Sequence, residues 1–261
     1  MERLGVIGGT GLIEMTLGSQ IEEAGMTLIR TDSITAETPW GDVPLTCMTL
    51  KKGSESREII FLQRHHNGEG SNMPPHAINH RANIMALKDS GCGAIMAVCS
   101  VGAIAHDFPP GKVSLAEQYI DFTGVASTFH DDEAVFTSVT EPFSLEINRI
   151  LEKLLRESQN FDANENLMYT YWLAQGPHFE TRAEIDAIEK LGGDMVGMTM
   201  PREAKLAREL EIPYVAVCIS SNWAAGREPG DSTADLHHHE VSSKANTRLG
   251  PVWDCLIKLL D

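Results

Sequence analysis

The chain has 261 residues, 42% hydrophobic and 22% charged, enough to bury a sizeable core and too polar for an array of membrane spans. Its formal net charge of −16 argues against nucleic-acid and anionic-membrane partners, which need a positive field. A small anionic substrate stays open, because a local arginine and backbone N–H groups can hold one inside a negative protein.

The predicted elements alternate along the chain. Leu4–Ile7 reads as a buried strand that ends in Gly8-Gly9-Thr10-Gly11. Glu58–Leu62 is a second short apolar run, closed by Gln63-Arg64-His65-His66. Residues 75–90 carry helical spacing, with Ile78, Ala82, Met85 and Ala86 on one face and Gly91 as the stop. Ala94–Cys99 is a fully apolar strand followed by Ser100, and Lys112–Tyr119 a further strand after Pro109-Pro110-Gly111. An amphipathic helix is predicted over 142–157, a strand over 167–174 and a helix over 181–191. A strand over 194–198 leads to a helix opened by Pro201 and ending at Leu210. The last core strand is 214–219, and a final helix covers 239–260, kinked near Gly250-Pro251. The acidic stretch Asp131-Asp132-Glu133 and residues 160–166 read as surface loops. Near-continuous apolar strands separated by helices predict one α/β domain over residues 1–261, with a mixed, mostly parallel sheet covered on both faces.

The five cysteines, Cys47, Cys92, Cys99, Cys218 and Cys255, are scattered and form no CxxC pair. Neither a zinc knuckle nor a disulfide framework is expected. No signal-peptide architecture precedes the first strand, so the expected protein is cytoplasmic, with buried thiols. His237-His238-His239 cannot all face one metal from one helix face, and no HExxH occurs. No metal and no cofactor are expected.

In such a sheet, ligands collect at the carboxyl ends of the strands. Thr10, Arg64, Ser100, Thr199 and Asn222 each follow an apolar run within a few positions. The glycine run is not a dinucleotide fingerprint, because Glu14 stands where a third glycine is needed and a carboxylate there repels a pyrophosphate. It fits either a structural turn or a loop whose N–H groups and Thr10 hydroxyl meet one phosphate. Arg64 offers a planar fork for phosphate oxygens, and His65 a further donor; a solvated surface cluster is the plainer alternative.

Glu180 and Asn222 pair a strong acceptor with a carboxamide. A 6-oxopurine carries a proton on N1 and a carbonyl at C6, whereas adenine has a bare N1 acceptor and an amine. An ionised Glu180 beside N1 accepts from the oxopurine and repels adenine, and mispairing such buried groups costs about several kcal/mol. Asn222 can serve N7 or O6. Glu180 alone is also an ordinary helix-start carboxylate, and Asn222 alone an ordinary turn residue.

Five motifs carry a resemblance. They are Ile7–Leu12, Arg64-His65, Pro74–Asn83, Gln175–Glu184 and Val196–Glu203. Together they resemble the trimeric purine nucleoside phosphorylase and methylthioadenosine phosphorylase family, from residue 4 to about residue 260. The resemblance implies a nucleoside phosphorylase fold, its sheet a distorted barrel, and reversible phosphorolysis in purine salvage: nucleoside plus phosphate gives free purine and ribose 1-phosphate. By matching positions it implies a phosphate site of Thr10, Arg64, His65, Thr199 and the Ser100 N–H. The nucleoside would meet Phe179, Glu180, Met198 and Asn222, with His238 near the 5′ end. Phe136 would come from a neighbouring subunit, which implies a homotrimer, or a dimer of trimers. Methylthioadenosine enzymes of the family carry Ser and Asp where this chain has Glu180 and Asn222. The oxopurine pair beside an otherwise methylthioadenosine-like sequence is similar to bacterial 5′-methylthioinosine phosphorylases. Gly68–Asn72 departs from the family pattern, replacing a histidine expected on the ribose side.

The expected activity is therefore phosphorolysis of 6-oxopurine nucleosides, 5′-methylthioinosine first, then inosine and guanosine, with Asn222, Glu180 and Arg64 as the catalytic residues. The alternatives are a methylthioadenosine phosphorylase and a nucleosidase that uses water. A dehydrogenase fails at Glu14, and a silent purine-binding protein has no reason to keep the phosphate residues.

Overall fold

The most deeply buried strand explains the rest of the sheet. β1 (Arg3–Gly8) has Leu4, Val6 and Ile7 fully buried, so its side chains are covered on both faces. Such a strand takes parallel neighbours on both sides. A computed structural model describes residues 1–9, 12, 19–67, 72–236 and 249–261. In it β1 lies parallel to β4 (Glu55–Gln63) on one side and to β5 (Ala94–Ala103) on the other.

β5 organises the site. It pairs parallel with β9 (Tyr214–Trp223) along most of its length. Its last residues, Gly102 and Ala103, also pair antiparallel with β8 (Met195–Gly197). β8 lies beside β7 (Met168–Leu173), β7 beside β6 (Val113–Asp121), and β6 returns antiparallel to β9. The strands β5, β8, β7, β6 and β9 thus close a ring, the distorted barrel expected from the resemblance. Five of the described pairings are parallel and four antiparallel, so the sheet is mixed as predicted.

Helices cover both faces. α2 (His80–Asp89) packs on α5 (Met200–Glu209) over one hydrophobic cluster. α3 (Leu145–Ser158) packs on α6 (Gly250–Leu260) over the other, with α1 (Ser19–Glu23) beside α6. α4 (Arg182–Lys190) lies over a third, smaller cluster that includes Ile185, Ile188 and Val196.

The structure corrects the predicted elements in four places. β2 (Thr27–Ala36) and β3 (Val43–Lys52) form an antiparallel pair at the sheet edge where no element was predicted. β2 is the outermost strand and leaves Leu28, Ile29 and Ile34 exposed, so it lacks a buried apolar run. The helix predicted over 75–90 is a 3-10 turn, Pro75–Ala77, followed by α2, which Asn79 caps by accepting from the Ala82 N–H. β5 and β9 run past their predicted ends, so Ser100 and Asn222 sit within strands and not after them. α6 begins at Gly250 with Pro251 in its first turn; the earlier part of the predicted final helix lies outside the described residues.

The start of α4 fixes the chain beside Glu180. Thr181 accepts from the Glu184 N–H at 3.2 Å, and Glu184 accepts from the Thr181 N–H at 2.7 Å, a reciprocal capping box. Thr181→Ala is expected to cost about 1 kcal/mol. The change would be read as a lower urea midpoint at unchanged slope.

Candidate active site

The carboxyl ends of β1, β4, β5, β8 and β9 surround a cavity of about 400 Å³. Eight residues expected from the sequence line it: Arg64, His65, Ser100, Phe179, Glu180, Met198, Thr199 and Asn222. Thr10 and His238 lie outside the described residues. Phe136 is 94% exposed and does not line this chain's cavity.

Arg64 is the most constrained of the eight. It is 2% exposed and grips Glu203 with two bonds, Nε to Oε1 at 2.6 Å and Nη2 to Oε2 at 3.0 Å. Nη1 donates to the Val98 carbonyl at 3.0 Å, and Nη2 lies 3.9 Å from the Cys99 sulfur. A guanidinium has five N–H donors, so one on Nη1 is left over from these bonds. Gly9 makes room for it. A Cβ at position 9 would stand 2.5 Å from Arg64 Nη1, closer than side chains approach.

Glu203 has a second hydrogen-bond partner besides Arg64, and a histidine stands beside it. The Tyr214 hydroxyl donates to its Oε2 at 2.8 Å, and His80 Nδ1 stands 3.8 Å from Oε1. Burial pushes the Glu203 carboxyl up, but Arg64, by charge and hydrogen bond, brings it below its ordinary value. Burial likewise opposes the Arg64 charge, and Glu203 overrides it, raising the guanidinium well above its usual value. The pair is therefore charged. Burial lowers His80 to about 4 despite Glu203, so near neutrality this histidine is uncharged.

The remaining residues divide by chemistry. His65 Nδ1 is 2.8 Å from the Met73 carbonyl, which ties it to the chain after the Gly68–Asn72 stretch. Thr199 caps α5 with no side-chain bond to the helix, so its hydroxyl is not used there, and this N-cap position sits at the cavity wall. Helix N-termini favour anions. The Ser100 hydroxyl is buried and has no partner among the described residues.

Glu180 Oε1 is also buried without a partner. Burial raises its carboxyl above the ordinary value, its own backbone N–H pulls the other way, and Glu184 adds to the rise. Asn222 is turned partly to its neighbours: Ser221 Oγ lies 2.8 Å from Oδ1, and Nδ2 donates to the Trp223 carbonyl at 2.7 Å. The second N–H of Nδ2 is not used in these bonds. A register shift between Val101 and Gly102 brings Gly102 opposite Asn222.

Several lining residues escaped the sequence reading. Cys99 and Val196 read as core strand, Val101 and Ser221 fell just past the predicted strand ends, and Leu236 sits in a polar segment. Glu203 was quoted only as part of a motif; its spacing of one helical turn from Thr199 is the signal that places it beneath the same site. No group of three or more histidine, cysteine, aspartate or glutamate side chains able to hold a metal occurs among the described residues. No described helix is long and apolar enough to cross a membrane.

Known proteins share both the sequence and this architecture. A probable 6-oxopurine nucleoside phosphorylase of Thermococcus kodakarensis is 40% identical over 251 residues, covering 92% of this chain and 85% of the relative. A probable S-methyl-5′-thioinosine phosphorylase of Methanothermobacter thermautotrophicus is 36% identical over 244 residues, covering 93% and 79%. Among solved structures, methylthioadenosine phosphorylase from Schistosoma mansoni in complex with adenine superposes with a TM-score of 0.80 at 25% identity, covering 100% of this chain and 91% of that one. The model of the phosphorylase superfamily matches residues 3–257, and with these relatives it establishes that the chain belongs to that family.

Proposed function

We propose that this chain is a purine nucleoside phosphorylase that acts on 6-oxopurine nucleosides, with 5′-methylthioinosine as its preferred substrate and inosine and guanosine as further ones. The observation that carries the reading is a pair of buried polar atoms, without partners among the described residues, on two residues that line one cavity. The Ser100 hydroxyl adjoins Cys99, which meets Arg64, and Glu180 Oε1 is an acceptor with nothing to accept. Buried polar groups are normally satisfied, so unpartnered atoms on cavity-lining residues favour a ligand that completes them. A phosphate oxygen suits the first and the N1 proton of an oxopurine the second. Relatives named for 6-oxopurine nucleosides and for S-methyl-5′-thioinosine support the same class. Met73, Pro74, Met198 and Leu236 give the lining an apolar part, which supports an apolar sugar substituent.

The mechanism follows from the side chains. Phosphate is the co-substrate and the nucleophile, so no protein nucleophile and no cofactor is needed. The C1′–N9 bond breaks ahead of attack, its electron pair passes to the purine, and a phosphate oxygen then bonds C1′. Arg64, the Thr199 hydroxyl, His65 and the helix N-terminus hold the anion against the ribosyl cation, which is catalysis by position and charge. The second Asn222 N–H bonds N7 more strongly as charge builds on the leaving base, favouring the transition state over the ground state. Thr10 would join the phosphate site and His238 the 5′ end. We take residues 1–261 as one catalytic domain of a cytoplasmic homotrimer, in which the exposed Phe136 covers the sugar of a neighbouring subunit.

Initial rates on inosine, guanosine, 5′-methylthioinosine and 5′-methylthioadenosine, each with and without phosphate, test this reading. Cleavage of the oxopurine nucleosides only with phosphate, fastest for 5′-methylthioinosine, is expected. Phosphate-independent cleavage would make the chain a nucleosidase, and preference for 5′-methylthioadenosine would make it a methylthioadenosine phosphorylase. The double variant Glu180→Ser with Asn222→Asp is expected to shift the kcat/KM ratio toward 6-aminopurines by about tenfold or more, since base-edge mispairing is worth more than one such factor. A double variant still strictly selective for oxopurines would remove these two residues from the base edge. Glu203→Gln should keep the hydrogen-bonding shape but lose the charge opposing Arg64. The KM for phosphate is expected to change by about tenfold or more, in line with a group that positions an anion ligand, with little change in KM for the nucleoside. Equal effects on both constants would indicate general unfolding of the site.

A further inference from the structure

Cys99 is a buried nucleophile that the mechanism above does not use. Of the five thiols it alone lines the cavity; Cys47, Cys92, Cys218 and Cys255 do not. Its sulfur lies 3.9 Å from Arg64 Nη2. Cys218 is its direct register partner on the parallel neighbour, β9. Same-register residues of adjacent strands project to the same face. Strands lie about 4.8 Å apart, inside the window of about 4.4–6.8 Å between Cα atoms that a disulfide accepts. Both residues belong to the same core cluster, with Cys99 2% exposed and Cys218 fully buried. Among the described residues, Cys99 is the one of the pair that lines the cavity.

We propose that Cys99 and Cys218 form an oxidisable pair at the anion end of the cavity, through which a hydroperoxide reversibly switches the enzyme off. The thiolate of Cys99 attacks one peroxide oxygen, the O–O bond breaks, and hydroxide or alkoxide leaves, giving a sulfenic acid on Cys99. The Cys218 sulfur then attacks that sulfur. The S–O bond breaks, the Cys218 proton leaves with the oxygen as water, and a disulfide remains. Two thiols lose two electrons and the peroxide gains them. The sulfenic oxygen would stand against Arg64 where the phosphate belongs, and the disulfide would draw the sulfur away from Nη2.

The local chemistry favours Cys99 as the attacking thiol. Cys218 next to it, together with the Arg64 charge, holds the Cys99 thiol below its ordinary value despite burial. Burial raises Cys218 instead. Burial also pushes Cys92 up to about 12 and raises Cys47 and Cys255. Thiolates react with peroxides and thiols do not.

The test is hydrogen peroxide added to the reduced full-length protein, followed by proteolysis and mass spectrometry. A Cys99–Cys218 linked peptide is expected, lighter by a pair of hydrogens than its two parts, forming in step with loss of most phosphorolytic activity. Dithiothreitol should restore both. Cys218→Ala should match the activity of the reduced wild type, form no link, and let dimedone trap a sulfenic acid on Cys99. A digest in which Cys99 stays unlinked while Cys47 is oxidised overturns the proposal, as does a Cys218→Ala protein with no dimedone adduct on Cys99. If that variant does not fold, the wild-type digest decides alone. The activity readout rests on the phosphorylase reading, but the peptide link does not. A linked peptide in a protein without phosphorolysis would sink the function and leave the thiol pair standing.

Discussion

The buried ion pair between Arg64 and Glu203 is the interaction on which the site depends. It joins the end of β4 to the first turns of α5, and Tyr214 ties the same carboxylate to the start of β9. Burying two charges is expensive, and a well-packed apolar pair would often be as stable or more so. Its presence is therefore better explained by geometry than by stability. Held by both oxygens of Glu203 and by the Val98 carbonyl, the guanidinium has little freedom to turn. Its remaining donor points from a fixed place, over a glycine that leaves space for it. A neutral His80 beside Glu203 adds packing without a competing charge.

Much of the fold was legible because its central strands are buried on both faces. β1, β5 and β9 begin as unbroken apolar runs, and a helix such as α2 shows apolar residues at helical spacing. β2 and β3 were not legible, since an edge hairpin is half solvated and its alternation is diluted by exposed leucine and isoleucine. The ends of β5 and β9 were misplaced for a related reason. Ser100, Ser220, Ser221 and Asn222 are polar and look like a loop, but the ladder between the two strands is made by the main chain and continues through them.

The site was legible where the residue type is unusual for its position. An arginine, a threonine and an asparagine at strand ends, and a glutamate before a helix, all came to one cavity. Glu203 and Cys99 were not, because a charged residue on an amphipathic helix and a cysteine in an apolar strand have ordinary explanations. Only the tertiary contact with Arg64 gives either of them a chemical meaning. The family likeness supplied the roles that residue types alone left open, above all the assignment of the anion.

The closed ring of β5, β8, β7, β6 and β9 divides the site into a stiff foundation and an adaptable brim. A ring without ends cannot slide one strand without breaking ladders on both flanks, so the groups it carries keep their spacing whatever is bound. Change is cheap only on the connections above it, where Phe179, Glu180 and Leu236 stand. A lineage built on this scaffold can thus reshape the mouth of the cavity by rewriting a few brim positions, while Ser100 and Asn222 in the strands below keep their places.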